Sequence, residues 1–364
     1  MQILAAVSRE GAAAPVVEAL ELEAPRPGEV LVRIATAGIC HTDLRAHAGL
    51  VPTPRPVVLG HEGAGTVVQV GANVVGVREG DRVVLSGSSC GVCAQCRDQL
   101  PSYCVEGMPR SFGGSRGDGS TSLSTGGEKI HSHFFGQSSF ATYAVADASG
   151  VVPLDDDVPF AVASPMACGV ITGAGAILNS FRLRAGQTLA VFGTGGVGLS
   201  AVMAARLAGA RQIIVIEPVA SRRTLALELG ATAALDPADD VEARVHSAVG
   251  RGVDFALNTT TNAAVLAMAQ RVLGARGVLG YVSATREPFT APLFPMLVGG
   301  QSLRGIVGGD SLPRSTIPML LEFWRQGRFP VERLVTRFAF ADIAVAFAAC
   351  RAGTAIKPVL EISE

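Results

Sequence analysis

Cys90, Cys93, Cys96 and Cys104 crowd into one short stretch. Thiolates spaced Cys-x2-Cys-x2-Cys-x7-Cys fit a closed tetrahedral zinc, which holds together a lobe too small to have its own core. A redox cluster, two disulfides or an iron–sulfur centre could use the same ligands, though so little apolar cover suits the last poorly. A second constellation is more dispersed. Cys40 precedes Thr42 and Asp43, and His61 sits in Gly60-His61-Glu62-Gly63. A thiolate and an imidazole, each beside a carboxylate and among glycines, make half of a catalytic metal site, which needs a third protein ligand and an open position. Cys168, in Pro165-Met166-Ala167-Cys168-Gly169, is the candidate third ligand. Alone it would read as an inert core cysteine, the role left to Cys350.

A third pattern concerns phosphate. Gly193-Thr194-Gly195-Gly196-Val197-Gly198 is a G-x-G-x-x-G run, after the apolar stretch 189–192 and ahead of a helical one. Its glycines permit a tight turn and the close approach of a pyrophosphate to a helix N-terminus. Glu217 ends the next apolar run, where an acid bonds the adenosine ribose 2′-hydroxyl. Its charge repels a 2′-phosphate, so NAD is expected over NADP, a preference tempered by Arg222 and Arg223. A solvated charge at a strand end is the plainer alternative for Glu217.

Elements must position these groups. Residues 1–38 read as short strands (3–7, 16–21, 30–37) with a Pro-Arg-Pro-Gly turn, and 65–70 and 82–85 are again strand-like. The glycine- and serine-rich stretch 107–130 predicts a mobile surface loop without a core. From residue 189 six apolar strands (189–192, 213–216, 233–235, 255–257, 278–282, 303–307) alternate with helical stretches (197–209, 220–229, 239–249, 262–273, 293–299), which argues a doubly wound parallel sheet. Helices at 313–326 and 343–351 follow, and a strand at 358–362 returns to the first part.

The bulk numbers agree. A chain of 364 residues is long enough for two cored domains, and a formal net charge of −1 offers no basic face for nucleic acid. Lysine occurs only at Lys129 and Lys357, so any essential ammonium is one of these. Residues 160–181 carry no charge, but their Ser, Thr, Gly, Pro and Asn content reads as a buried helix pair, not a membrane span. The first nine residues lack a basic region and a sustained apolar core, so no signal peptide is expected and the cytoplasm is the default.

Taken together, the motifs resemble the zinc-containing medium-chain alcohol dehydrogenases over essentially the whole chain. The matching stretches are Cys40-His41-Thr42-Asp43, Gly60-His61-Glu62, Gly80-Asp81-Arg82-Val83, the four-cysteine lobe, Phe135-Gly136-Gln137-Ser138-Ser139-Phe140-Ala141, Ala167-Cys168-Gly169 and the glycine run after Phe192. The branch most like it is that of the aryl (benzyl) alcohol dehydrogenases. The resemblance implies an α/β protein: a GroES-like, mainly antiparallel β catalytic domain (1–169 and 308–364, with a structural zinc lobe at about 88–106) and a Rossmann domain for NAD (170–307). It implies two zinc ions per chain and a homodimer or homotetramer paired through 303–307.

Residue by residue, it makes Cys40, His61 and Cys168 the catalytic zinc ligands. Asp43 would orient His61, with a helix cap as its alternative. Glu62 would lie behind the metal, and Thr42 would take the hydroxyl proton. His41 and Lys357 would reach the cofactor phosphates. Thr172 would back the nicotinamide, and Arg222, Thr259, Val282, Ala284 and Val307 would make further cofactor contacts. Val51, Ser86, Phe134, Phe135 and Val307 would form an apolar substrate pocket, widened because Ser86 replaces a bulkier residue. Two departures stand out. Arg45 occupies the place of the histidine that passes the proton outward, and a guanidinium cannot act as a base, so water or His47 is the expected exit. Asn258-Thr259-Thr260-Thr261 departs from the relatives' acid and glycine. The expected activity is interconversion of an aromatic or allylic primary alcohol and its aldehyde. The alternatives are a terpene alcohol such as geraniol, a glutathione-adduct formaldehyde substrate, or a catalytically silent nucleotide-binding module.

Overall fold

The computed structural model describes residues 1–285 and 287–363 and shows two compact units. The first contains Met1–Cys168, Leu312–Glu322 and the stretch from Val331 onward; the second contains Gly169–Ser311 and Phe323–Pro330. Sequence rhythm suggests a single return at 308. The chain instead re-enters the first unit at 312 and sends Phe323–Pro330 back to the second, with Phe329 fully buried.

The hub of the first unit is strand Glu29–Gly38. It pairs antiparallel with Gly63–Val70, Tyr143–Asp147 and the late strand Lys357–Glu361. Being central, it is buried on both faces, and only Arg33 of its residues is exposed. That explains its nearly unbroken apolar run, which a one-sided strand would not show. A second antiparallel sheet has the order Val57–Val58, Gln2–Ser8, Val16–Leu22, Leu123–Thr125, Glu128–Ile130. The stretch 107–130 is therefore not a loop. It forms helix Gly107–Phe112 and a hairpin whose Leu123 and Ile130 enter the core. Two apolar side chains at hairpin spacing outweigh the glycine and serine content around them.

The second unit is a six-stranded parallel sheet in the order Ala233–Leu235, Gln212–Ile216, Thr188–Phe192, Val253–Asn258, Leu273–Tyr281, Ser302–Gly305. Numbered along the chain this is 3-2-1-4-5-6, the order whose strand reversal creates a dinucleotide crevice. Strand Thr188–Phe192 at the centre is wholly buried, and helix Gly196–Leu207 springs from its end. Among the described residues no single helix is long and apolar enough to cross a membrane. The uncharged stretch 160–181 is broken at Cys168, and most of it is buried.

Candidate functional site

Three chain segments converge on one point of the first unit. Strand Glu29–Gly38 ends at Cys40, which caps helix His41–His47. His61 arrives from a tight turn at Gly60, whose φ is +91° and where a Cβ would lie 2.6 Å from the Phe140 backbone nitrogen. Only glycine fits there. Cys168 sits between a short 3-10 turn and helix Gly169–Gly175. The donor atoms of Cys40, His61, Glu62 and Cys168 all lie within 4.8 Å of one another.

Asp43 organises the cluster. Its Oδ2 accepts from the Cys40 backbone N–H (2.9 Å), while Oδ1 accepts from Gly60 N (3.1 Å) and His61 Nδ1 (3.0 Å). The carboxylate is thus helix cap and imidazole orienter at once, so the two sequence alternatives are both met. With Nδ1 donating to Asp43, the neutral His61 ring places its lone pair on Nε2, and this buried atom has no hydrogen-bond partner. An orphaned imidazole nitrogen facing two thiols is the donor set of zinc. Burial alone would lower the His61 pKa, but Asp43 outweighs it and holds the ring's proton affinity well above normal. A hydrogen bond between the two thiols drives them apart, Cys40 toward thiolate and Cys168 toward thiol.

Behind the cluster Glu62 meets Lys357, with Nζ 2.6 Å from Oε1 and 3.3 Å from the Ile39 carbonyl. Burial pushes the Glu62 carboxyl up to about 7, against the pull of Lys357. The Lys357 side chain is 5% exposed. This corrects its assignment to cofactor phosphates: the ammonium is enclosed and its charge is matched by Glu62.

An aromatic wall covers the front of His61. Phe135 stacks on the imidazole (4.5 Å, 25°) and Phe134 meets it edge-on (5.6 Å). Phe135 holds φ at 54°, a left-handed conformation that costs a non-glycine residue about 1–3 kcal/mol and persists only where its surroundings enforce it. Phe112, hidden from sequence by the loop reading, packs edge-on against both Phe134 and Phe135. Val51 is half-buried against the same core. Ser86 is 6% exposed and donates its hydroxyl to the Ala167 carbonyl at 2.9 Å, so its role as a pocket-widening surface is corrected to a buried link. Thr42 Oγ1 stands 3.8 Å from Cys40 Sγ, and His41 is exposed.

His47 is a third correction. Its Nδ1 pairs with Ser8 Oγ (2.7 Å), its Nε2 with the Ala12 carbonyl (3.0 Å), and its ring packs edge-on against Phe347. Both nitrogens are engaged, and burial lowers its pKa. It is neither a proton exit nor an exposed loop residue.

In the second unit the glycine run follows strand Thr188–Phe192. Gly193 has φ +90° with Thr259 Oγ1 pressed against its Cβ position, and a Cβ on Gly198 would strike the Gly193 carbonyl oxygen. At Gly195 and Gly196 a Cβ would meet open space, leaving the backbone N–H groups at the helix start accessible to a phosphate. Val197 completes the run. Glu217 is buried: Oε2 accepts from Thr194 N and Oγ1 (both 2.8 Å) and Oε1 from Val219 N (3.0 Å). Three of its roughly four acceptor positions are engaged, leaving room for one ribose hydroxyl. Arg223 is occupied by the Glu217 and Pro218 carbonyls and Asp236. Arg222 is half-buried on the same helix. Asn258 closes a turn on Thr260, and Thr259 Oγ1 bonds the Phe192 carbonyl (2.9 Å), so the departure from the relatives' pattern is absorbed locally. Thr172 lies in helix Gly169–Gly175, Val282 N donates to the Asn258 carbonyl, and Ala284 and Val307 are exposed.

Residues 26–156 match the alcohol dehydrogenase GroES-like domain, and 196–326 match the zinc-binding dehydrogenase domain. The chain belongs to the zinc-containing medium-chain alcohol dehydrogenases. A curated relative, geraniol dehydrogenase of Castellaniella defragrans, is 46% identical over 98% of this dehydrogenase and 96% of its own length. The structure of an alcohol dehydrogenase zinc-binding domain protein from Burkholderia ambifaria is 43% identical and superposes with a TM-score of 0.98, covering 100% of both chains. That of benzyl alcohol dehydrogenase from Acinetobacter calcoaceticus is 37% identical with a TM-score of 0.96, again over 100% of both. Zinc and NAD are the cofactors of this family.

The four-cysteine lobe of the dehydrogenase suits the first of these cofactors. A tetrahedron with zinc–sulfur bonds of about 2.3 Å has sulfurs about 3.8 Å apart. Cys93–Cys96 and Cys90–Cys96 are 3.5 and 3.9 Å apart. None of the cysteines is in a disulfide. Backbone N–H groups of Val105 and Cys96 pull the Cys93 thiol down to about 6, readying it as a thiolate.

Proposed function

We propose that this dehydrogenase interconverts a planar, unsaturated primary alcohol of the benzyl type and its aldehyde, with NAD. The observation that carries the reading is the phenylalanine stacked on His61. A flat ring laid along Phe135, the half-buried member of the pair, gains apolar contact without needing a polar anchor and sets its hydroxymethyl group beside the cluster, while the fully buried Phe134 backs that wall from inside.

Cys40, His61 and Cys168 would hold the catalytic zinc, and Cys90, Cys93, Cys96 and Cys104 the structural one. When bound, zinc supplies a Lewis acid that makes an alcohol hydroxyl acidic near neutral pH, and NAD supplies the hydride acceptor. Asp43 keeps the His61 lone pair aimed at the cluster. Thr42, whose hydroxyl donates and accepts together, takes the substrate proton. Arg45 stays charged and His47 is closed off, so the proton leaves through water. The glycine run and Glu217 hold the adenosine half of NAD, the buried carboxylate disfavouring a 2′-phosphate.

Geraniol is the second substrate reading, favoured by the curated relative of that name. It shares the allylic, sp2-flanked carbinol but is longer and flexible. Comparing kcat/KM for benzyl alcohol, geraniol and ethanol with NAD and with NADP separates the readings. Benzyl alcohol is expected to lead, and equal use of NAD and NADP would remove the role given to Glu217. A silent nucleotide-binding module is disfavoured by the intact set of Cys40, Thr42, His61 and Cys168.

A further inference from the structure

The three ligand segments are far apart in sequence, yet a zinc site tolerates only a few tenths of an ångström in its donors. Asp43 ties Cys40 to His61. The hydrogen bonds of Asp43 go to Cys40, Gly60 and His61, and Cys168 meets this network only through its thiol, on Cys40; its backbone is held by another device.

Gln137 is 2% exposed, and its carboxamide is fully engaged. Nε2 donates to the carbonyls of His61 (3.1 Å), Leu85 (3.0 Å) and Ser86 (3.3 Å), and Oε1 accepts from Gly63 N (3.1 Å). Ser86 in turn donates to the carbonyl of Ala167, the residue before Cys168. A continuous path of hydrogen bonds thus runs from the His61 backbone through Gln137 and Ser86 to the Cys168 peptide. The turn that delivers Gln137 is costly: Phe135 and Ser138 both take left-handed backbone, with φ of 54° and 63°. A turn that only reversed the chain would place glycine at such positions. Strain of this kind persists where neighbouring structure over-determines it, and it clusters at functional sites.

We propose that Gln137 and Ser86 form a bracket that sets the position of Cys168 relative to His61, making both positioning residues for the metal-ligand set. The proposal rests on Cys40, His61 and Cys168 being ligands. It gives Ser86 a task unrelated to pocket width: its hydroxyl, which a bulky apolar residue lacks, anchors the third ligand's backbone.

The test compares wild type with Ser86→Ala and Gln137→Met, each loaded with zinc for chelator challenge and with Co2+ for absorption spectra. The four-cysteine site in the same molecule is the internal control. Each variant is expected to release the catalytic ion about 10-fold faster or more, while the structural ion leaves at the wild-type rate. The thiolate-to-cobalt band of the catalytic site should shift in both. Equal acceleration at the two sites, as general loosening would give, overturns the bracket; so do unchanged rates and spectra. Should Gln137→Met fail to fold, Ser86→Ala, which removes one hydroxyl, decides alone. A wild type that takes up a single ion, at the four cysteines, would remove both the bracket and the ligand reading, whereas failure confined to the variants leaves that reading standing.

Discussion

Asp43 holds the His61 ring and the Cys40 backbone with a single carboxylate. Asp43→Asn loses the charge that fixes the His61 tautomer, and turnover should fall about 10- to 100-fold while the structural zinc stays in place, read by kcat beside metal content. His47→Gln, by contrast, should leave the pH profile of turnover unchanged, because the ring contacts Ser8, Ala12 and Phe347 and not the cluster. A displaced profile would restore it as the proton exit. Lys357 belongs to a buried pair, so Lys357→Met strands the Glu62 carboxylate. A loss of about 3–5 kcal/mol is expected in denaturant unfolding, largely recovered in Glu62→Gln/Lys357→Met. Residue types and spacing made the convergence of Cys40, His61 and Cys168, and the place of Asp43 beside them, readable from the chain. They could not reveal that Lys357 would find a buried carboxylate, or that His47 would be enclosed, because both depend on which distant segment packs opposite.

At the scale of elements, the segment 113–133 is tied down by charge as well as by its hairpin. Glu29 accepts from Arg116 (2.6 Å) and His133 (3.2 Å), joining the hub strand to this segment and to the turn carrying Phe134 and Phe135. Burial would raise the Glu29 carboxyl, but bonds from His133, Arg116 and the Arg26 backbone prevail and bring it down to about 2. A depressed folded-state pKa adds stability at pH above the unfolded value of about 4.5, and that stability is lost as pH falls toward 2. Glu29→Gln should therefore flatten the acid limb of unfolding free energy over that window, by an amount on the order of 3 kcal/mol. A variant with the wild-type slope would show the network contributes nothing there. This is also where sequence misled: glycine and serine in 107–130 signal a loop, while the long-range pairing of Arg116 with Glu29 leaves no local pattern. The strand and helix rhythm from 189 onward was readable because each parallel strand is a short apolar run between helix-length stretches.

For the whole molecule, the second unit exposes an apolar helix, Leu293–Gly299, beside an edge strand, Ser302–Gly305, with no residue of that strand buried. Leu293, Phe294, Leu297 and Val298 are each more than two-thirds exposed. We propose that this apolar face and the exposed edge strand beside it carry the contact between copies of the chain. Leu297→Arg should shift the sedimentation coefficient toward that of the monomer; an unchanged assembly would place the interface elsewhere. Among the described residues two groups of donors could each hold a metal ion, so metal analysis is expected to find two zinc ions per chain. The central claim, that the zinc cluster and its aromatic wall serve a planar alcohol, meets its most direct test in one assay of NADH formation, with benzyl alcohol and ethanol compared by kcat/KM. The stacked Phe135 predicts a preference for benzyl alcohol of about 10-fold or more, as an extra buried ring contact would give. An equal or higher value for ethanol, or no NADH from either alcohol, would contradict it.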